Sequence, residues 1–186
     1  MRIISGKFKG KKILFPSKII TRPLRDRVRE SIFNVLLHNN KIKFEFENSV
    51  VLDLFSGSGS FGIECLSRNV DKVFFIEKEK EAFNILKKNL QLLKITKAEI
   101  INDDVLNIKQ NYNFNIIKAD LIFIDPPFKM TNIDKIITDI KKLANKNNKL
   151  IIHTHSKNSI NNSNINILEE KIYGVSKVYF GEIKLF

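Results

Sequence analysis

Several features are scarce or missing in this sequence of 186 residues. It has one cysteine, which excludes an internal disulfide framework and any metal site built from several cysteines. No apolar run approaches the roughly 18 residues that a membrane-spanning helix needs. The first residues lack the apolar stretch and cleavage site of a signal peptide. We therefore expect a cytoplasmic protein with no membrane partner and no metal.

Acidic residues are missing from positions 1–20, and arginine is scarce after position 30. The chain has a formal charge of +12, and five of its six arginines precede residue 30. Arginine binds phosphate through paired hydrogen bonds and stacks on bases, so this placement indicates a nucleic-acid partner. The alternative is a solvated charged surface. The candidate RNA-binding residues are Arg2, Lys7, Lys9, Lys11, Lys12, Arg22, Pro23, Arg25 and Arg29.

The apolar pattern divides the chain into two parts. Residues 1–47 predict a basic β-hairpin, with strands over 2–5 and 11–15, and then a helix from Asp26 to about His38. Residues 48–186 alternate strands and helices, which is typical of an α/β domain with a mainly parallel sheet. The predicted strands cover 50–54, 72–77, 98–101, 120–124, 149–153, 167–173 and 175–180, and the last two are antiparallel. Three helices are predicted between them: one that ends near residue 68, one over 79–93 and one over 133–144.

A glycine loop follows the first of these strands. Gly57-Ser-Gly59-Ser-Phe-Gly62 has the spacing G-x-G-x-x-G between a strand and a helix, where glycines let a ligand approach the backbone. Glu77 ends the next strand, 20 residues after Gly57, where an acid can bind a ribose hydroxyl. The combination predicts a site for a nucleotide-type cofactor rather than a structural turn.

Asp53 distinguishes between two cofactors that use this spacing. It lies at the end of the strand, where it would repel the pyrophosphate of a dinucleotide such as NAD. The ammonium and sulfonium of S-adenosylmethionine would instead be attracted to an anion there. Further along, Asp104 could accept from an adenine amino group, with Val105 against the ring. A helix N-cap is an equally good interpretation of Asp104.

Asp125-Pro126-Pro127-Phe128 follows the fourth strand, at the same edge of the sheet. An ionised aspartate only accepts hydrogen bonds, and prolines have no N–H, so the segment suits a group that donates twice, such as an exocyclic NH₂. Phe128 offers a face for stacking of a base. The alternative is a strand end followed by a turn. Beside a methyl donor, the segment predicts methylation of a base amine.

Two other segments contain reactive side chains. Cys65 lies in an apolar helix with no histidine near it in sequence, so we predict a core position rather than a nucleophile. His153-Thr-His155 has the spacing of a two-ligand metal fragment, but no further cysteine or histidine is close. We therefore interpret it as a strand end.

The sequence resembles the RsmD family of bacterial small-subunit rRNA guanine-N2 methyltransferases over nearly its whole length. The motifs that carry the resemblance are Met1-Arg-Ile-Ile-Ser-Gly-Lys-Phe-Lys-Gly10, Thr21-Arg-Pro23, Asp26-Arg-Val-Arg-Glu30 with Phe33-Asn34, Asp53-Leu-Phe-Ser-Gly-Ser-Gly59 and Asp125-Pro-Pro-Phe128. One difference is Leu24 and Arg25 after the Arg-Pro pair, where the family usually has a small hydroxyl residue.

The resemblance implies a Rossmann-like class I methyltransferase fold with seven strands and an N-terminal hairpin-and-helix extension. It implies S-adenosylmethionine as cofactor, and a guanine in 16S rRNA, on the small ribosomal subunit or its assembly intermediate, as acceptor. Asp125, Pro126, Pro127 and Phe128 are then the catalytic residues. The expected cofactor-binding residues are Asp53, Ser56, Gly57, Gly59, Glu77, Asp104 and Val105.

Three other functions remain open from the residues alone. An amino-methyltransferase acting on adenine or cytosine in DNA is disfavoured because the chain has no sizeable target-recognition domain. A nonenzymatic RNA-binding assembly factor is disfavoured by the intact Asp125 and glycine loop. An NAD enzyme is disfavoured by Asp53.

Overall fold

The structure is a computed structural model that describes residues 1–16, 24, 26–107 and 117–185. Its strands are β1 (Val50–Leu54), β2 (Lys72–Ile76), β3 (Ala98–Ile101), β4 (Ala119–Ile124), β5 (Ala144–His155), β6 (Ile165–Tyr173) and β7 (Ser176–Ile183). Its α-helices are α1 (Asp26–His38), α2 (Ser60–Ser67), α3 (Lys80–Leu92) and α4 (Ile133–Ile140). Short 3-10 turns cover Val105–Asn107 and Lys141–Leu143.

The seven strands form one sheet in the order β3-β2-β1-β4-β5-β7-β6. The first five strands of this order pair in parallel, and β7 is antiparallel to both β5 and β6. The predicted α/β sheet with an antiparallel C-terminal strand is therefore confirmed. In the described part of the chain no helix is long and apolar enough to span a membrane.

Alternating residues of the central strands pack on opposite faces of the sheet. In β4, Leu121 and Phe123 join the cluster that contains residues of α1, α2 and α3. Ile122 and Ile124 join the cluster that contains the apolar residues of α4. Because both faces are covered, the central strands are apolar along nearly their whole length.

The N-terminal residues share the core of the sheet instead of forming a core of their own. Ile3 and Ile13 are buried in the same cluster as α2 and β4. Phe33 of α1 stacks on Phe61 of α2 with ring centroids 5.2 Å apart, and Phe61 stacks on Phe123 of β4 at 4.0 Å. This row of rings joins α1 to the sheet.

Three predicted boundaries differ from the structure. The N-terminal hairpin has no strands, because only a single bridge, Arg2–Lys12, connects its arms. The helix predicted over 133–144 ends at Ile140 and continues as a 3-10 turn. Strand β5 begins at Ala144, five residues before the predicted start, because pairing with β4 organises a polar segment whose sequence has no strand pattern.

A buried carboxylate attaches the N-terminal segment to α2. Glu64 is fully buried, and its two oxygens accept the N–H groups of Ile4 at 2.7 Å and Ser5 at 3.0 Å. Arg68, one turn further along α2, lies 3.0 Å from the same carboxylate. Two backbone groups that would otherwise be desolvated and unpaired are thus satisfied by one side chain.

The turn around Gly6 covers the C-terminal end of α2. The carbonyl of Ser67 accepts the N–H of Lys7 at 2.8 Å, and the Ser67 hydroxyl accepts the N–H of Phe8 at 3.0 Å. A Cβ on Gly6 would lie 1.8 Å from the Ser67 carbonyl oxygen. The close approach therefore requires glycine at position 6.

A matched pair of substitutions isolates this contact. Gly6 and Gly10 have φ angles of +78° and +81°, so alanine at either position is strained by about 1–2 kcal/mol. A Cβ on Gly10 has no atom within 4 Å, whereas Gly6→Ala also displaces two hydrogen bonds, worth about 1 kcal/mol each. Urea unfolding should show Gly6→Ala to be less stable than Gly10→Ala by about 2 kcal/mol. Equal losses would contradict this account.

Candidate active site at the carboxyl edge of the sheet

Three neighbouring parallel strands each end in an acid. Asp53 is the fourth residue of β1, and Glu77 and Asp125 directly follow β2 and β4. The residues that precede Glu77 and Asp125 both pair with Leu54 of β1, so the two acids leave their strands at the same level. The register therefore brings the three predicted carboxylates together at one edge of the sheet.

Asp53 is the most deeply buried of these acids. Its carboxylate accepts the N–H of Gly62, in the first turn of α2, at 3.0 Å. Burial raises the pKa of Asp53 well above its ordinary value, the Gly62 hydrogen bond opposes the rise, and the charges of Asp125 and Glu77 add to it. Asp53 is thus a desolvated acid whose negative charge is opposed by its neighbours.

The glycine loop between β1 and α2 has left-handed backbone at Phe55 (φ 60°), Gly57 (φ 56°) and Gly59 (φ 83°). A Cβ on Gly59 would lie 2.3 Å from a methyl of Leu86, so this glycine lets α3 pack against the loop. Ser56 donates from its hydroxyl to the Asp53 carbonyl at 2.6 Å and accepts the Ile76 N–H at 3.0 Å. The Ser56 hydroxyl therefore fixes the loop to β1 and β2.

Glu77 closes the other side of this loop. One of its oxygens accepts the N–H of Gly57 at 2.7 Å, and the other accepts the N–H of Glu79 at 2.8 Å. Burial raises the pKa of Glu77, and these backbone donors oppose the rise. A carboxylate has about four acceptor positions, so Glu77 retains the capacity to bind two further donors such as ribose hydroxyls.

Asp104 lies after β3 and caps the 3-10 turn. Its Oδ1 accepts the N–H of Leu106 at 3.0 Å, and its Oδ2 lies 3.5 Å from the Lys78 ammonium. The N-cap interpretation of Asp104 is therefore confirmed, and Oδ2 is the oxygen that faces away from the cap. Val105 is 3% exposed and belongs to the same buried cluster as Ile76, so it presents little surface to a ligand.

Asp125 has a partner that the sequence did not indicate. Its Oδ1 lies 2.7 Å from Nδ1 of His153, which is 1% exposed, while the Asp125 side chain is 16% exposed. The structure confirms His153 and His155 as the end of β5. Among the described residues no group of three or more histidine, cysteine or acidic side chains could hold a metal ion.

The rest of the Asp-Pro-Pro-Phe segment is fixed by two histidine rings and an amide. Phe128 meets His153 and His155 edge-on, with ring centroids 5.6 and 5.2 Å apart. The Asn158 side chain donates to the Phe128 carbonyl at 3.4 Å and to the Thr154 hydroxyl at 2.9 Å. The Phe128 ring is therefore oriented by the end of β5 and the loop after it.

The basic N-terminal residues have two different environments. Arg2, Lys7, Lys9, Lys11 and Lys12 are all exposed. The ammonium groups of Lys7 and Lys11 lie 5.0 and 5.5 Å from the centroid of the Phe8 ring. These five exposed residues and the half-buried Phe8 form one surface, here called the basic turn. Arg22, Pro23 and Arg25, which were also predicted to bind RNA, lie outside the described residues.

The prediction that Arg29 binds RNA is wrong. Its side chain is fully buried, donates to the Arg2 carbonyl at 2.5 Å and pairs with Asp26 at 3.1 Å. Burial lowers the pKa of Arg29, and the charges of Glu64 and Asp26 oppose that shift. The helical periodicity of α1 could have indicated this position, because residue 29 follows Val28 on the buried face and lies three residues before Ile32.

Asn89 is a further residue that the sequence interpretation missed. It is buried in α3, where it accepts the Leu14 N–H at 2.8 Å and donates to the carbonyls of Leu14 at 3.1 Å and Ser58 at 3.0 Å. It thus joins the N-terminal segment to the glycine loop. Its position among the inward residues Leu86 and Leu90 was a usable indication, since a polar side chain there needs buried partners.

The comparisons with known proteins agree on one family. The family model described as Conserved hypothetical protein 95 matches residues 1–182. A relative from Haemophilus influenzae, named Ribosomal RNA small subunit methyltransferase D, is 40% identical over 141 residues, which are 74% of this chain and 69% of the relative. This chain belongs to that family. The resemblance to the RsmD family is therefore confirmed.

Solved structures support the fold of this RsmD-family chain. The yhhF protein of Escherichia coli superposes with a TM-score of 0.82 at 26% identity, over 100% of this chain and 99% of that one. A protein solved in complex with SAH has a TM-score of 0.66 at 14% identity, over 83% of this chain and 49% of that one, and it shows the fold alone. The predicted class I methyltransferase fold is confirmed.

The electrostatics of the RsmD-family site fit a positively charged cofactor. The charges of Asp125 and Glu77 add to burial in opposing the ionisation of Asp53, and among the described residues no cation pairs with Asp53 or Glu77. A ligand with an ammonium and a sulfonium would compensate these charges, whereas a pyrophosphate would add to them.

Asp53→Asn tests this charge balance. The asparagine oxygen can still accept the Gly62 N–H, but the charge is gone. Because the pKa of Asp53 is raised in the folded protein, its ionisation destabilises the fold at every pH above the ordinary aspartate value. Asp53→Asn should therefore increase the melting temperature of the ligand-free protein at neutral pH, by about 2–4 °C for each kcal/mol gained.

The same variant should bind S-adenosylmethionine at least tenfold more weakly by calorimetry, a loss of about 1.4 kcal/mol. Glu64→Gln is the control, because it also neutralises a buried acid but removes the partner of Arg68. It should lower the melting temperature and leave cofactor affinity unchanged. A destabilised Asp53→Asn with normal affinity would contradict the assignment.

Proposed function

We propose that this chain transfers a methyl group from S-adenosylmethionine to the exocyclic N2 amine of a guanine in the RNA of the small ribosomal subunit. The observation that supports it most is the acceptor-only segment of residues 125–128 at the same sheet edge as Asp53 and Glu77, in a member of the RsmD family. The choice of guanine follows from the resemblance to that family. The substrate is the RNA itself or the subunit and its assembly intermediates.

The chemical difficulty is the weak nucleophilicity of an amine attached to an aromatic ring. Its lone pair is delocalised into the π system of the ring. Asp125 and the carbonyl of Pro126 accept the two N–H hydrogens, which turns the lone pair toward the methyl group. Phe128 stacks on the base and fixes that plane. Most of the rate enhancement then comes from positioning of the amine.

Charge development favours an aspartate at this position. The bound cofactor supplies an electrophilic methyl on a sulfonium. As the new bond forms, the amine nitrogen becomes positive and its protons become more acidic. Asp125 therefore stabilises the transition state more than the neutral amine of the ground state. After transfer, the carboxylate is positioned to accept the proton that the nitrogen loses.

The cofactor-binding residues have separate roles in this proposal. Asp53, which accepts a hydrogen bond from the first turn of α2, faces the positive end of the cofactor. Glu77 binds the ribose hydroxyls with its remaining acceptor positions. Gly57 and Gly59 give the loop its left-handed turns, and Gly59 also lets α3 pack against the loop. Asp104 receives the adenine amino group on Oδ2, the oxygen that the turn does not use.

Residues 1–47 form the RNA-binding extension in this proposal, and the basic turn is its described contact surface. The turn lies at the C-terminal end of α2, while the glycine loop lies at the N-terminal end of the same helix. An eight-residue helix is about 12 Å long. The basic turn would therefore bind phosphates that flank the target nucleotide, and it contributes affinity rather than chemistry. The target base must be unpaired or flipped to reach Asp125.

Asp125→Ala should abolish transfer of radiolabelled methyl to RNA, by about 10³-fold or more, because the amine loses its charged acceptor. Asp125→Asn is the matched variant, since it keeps an acceptor oxygen without the charge and should retain part of the activity. Both should bind S-adenosylmethionine within about threefold of the wild type. Near-normal turnover of Asp125→Ala would contradict the mechanism.

The same assay distinguishes the alternatives when naked rRNA, small-subunit particles and duplex DNA are offered in parallel. Nucleoside analysis should find the label in N2-methylguanine. Label in N6-methyladenine or in a methylated cytosine of DNA would establish the DNA amino-methyltransferase. Tight RNA binding without any transfer by the wild-type protein would establish a nonenzymatic assembly factor.

The double variant Lys7→Glu with Lys9→Glu tests the basic turn. RNA binding should weaken at low salt. The negative slope of the logarithm of the association constant against the logarithm of the salt concentration should become shallower by about 2, because two phosphate contacts are lost. Lys142→Glu with Lys146→Glu is the control, because it makes the same charge change at two exposed residues in the 3-10 turn after α4 and at the start of β5. Equal effects of the two pairs would show that only net charge matters. Cofactor binding and turnover at saturating RNA should stay unchanged in both.

A further inference from the structure

We infer that His153 is a positioning residue for the methylation, which orients both the acceptor carboxylate and the stacking ring of the substrate site. This inference rests on the proposed function, because it assigns a role within the same site. His153 was expected only to end a strand, and its contacts with Asp125 and Phe128 motivate the new assignment.

The first contact fixes the carboxylate. Nδ1 of His153 lies 2.7 Å from Oδ1 of Asp125, and the imidazole is 1% exposed. An ionised carboxylate only accepts hydrogen bonds, so the inference requires a proton on Nδ1 of His153. Asp125 Oδ1 is then occupied by His153, and Oδ2 is the oxygen that faces the base amine.

The second contact fixes the aromatic plane. The ring of Phe128 meets the His153 ring at 70° with centroids 5.6 Å apart, and it meets His155 at 81° and 5.2 Å. One buried side chain therefore contacts both parts of the segment that receives the base. Because β5 pairs in parallel with β4 up to Ile124–Ile152, the residue after that pair on each strand is Asp125 or His153. The register of the sheet places these two residues side by side.

This arrangement has a chemical consequence for the transfer step. The nitrogen lone pair forms the bond to the methyl carbon, and the sulfur–carbon bond breaks with its electron pair remaining on sulfur, which becomes neutral. The nitrogen then loses one proton to Oδ2 of Asp125. The Nδ1–H of His153 holds Oδ1 throughout, so Asp125 cannot rotate away from the amine as the charge develops. His153 acts through Asp125 and does not touch the substrate.

A pair of substitutions separates positioning from packing. His153→Asn retains an N–H donor close to the position of Nδ1, whereas His153→Leu fills the site without a donor. We expect His153→Leu to lower kcat by about 10–100-fold, with KM for RNA and the Kd for S-adenosylmethionine within about threefold of the wild type. His153→Asn should recover most of the lost kcat. In ¹⁵N-histidine spectra of the wild-type protein, His153 should be protonated on Nδ1.

Each outcome decides the inference. Equal kcat losses for the Asn and Leu variants, wild-type kcat in His153→Leu, or a wild-type Nδ1 without a proton would each overturn it. If His153→Leu does not fold, the Asn variant and the wild-type spectrum still decide. The wild type and Asp125→Ala are measured in the same assay, which distinguishes the two hypotheses. An inactive wild type rejects the proposed function. An active wild type with unaffected His153 variants rejects only this inference.

Discussion

The burial of Asp53 beside two other acids at adjacent strand ends is the constraint on which the site depends. Parallel pairing of β2, β1 and β4 places Glu77, Asp53 and Asp125 at the same edge of the sheet. The fold tolerates them because backbone N–H groups of the glycine loop and α2 donate to Asp53 and Glu77, and His153 contacts Asp125. In the proposed function a cationic ligand compensates the remaining unfavourable charge, so the instability of the free site and its affinity for the ligand would have the same origin.

Helix α2 connects this edge to the N-terminal segment. Its first turn donates to Asp53, while Glu64 and Ser67 near its end hold the backbone of residues 4–8. Asn89 adds a second connection, from Leu14 to the glycine loop. The segment that presents the basic turn is thus attached to the same two elements that shape the cofactor site. It is part of the core rather than a separate appendage.

Local chemistry explains which parts of the fold could be predicted. The strands β1, β2 and β4 are mostly apolar because both faces are covered, and the glycine loop and the Pro-Pro pair mark turns. These elements and the acids at their ends therefore follow from sequence. Arg29 and β5 show the limit. Arg29 resembles the neighbouring arginines in sequence, but its position on α1 directs it into the core. The start of β5 is polar and becomes a strand only through its pairing partners.

The sequence by itself determined the order of elements, the family motifs and the set of acids, because each depends on residues that are close along the chain. Only the tertiary structure decided which side chains meet across the sheet. His153 and Asp125 are 28 residues apart, Glu64 and Ile4 are 60 apart, and Asn89 and Leu14 are 75 apart. Contacts of this kind depend on strand register and helix rotation, which are set by the packing of the whole core and by no local pattern.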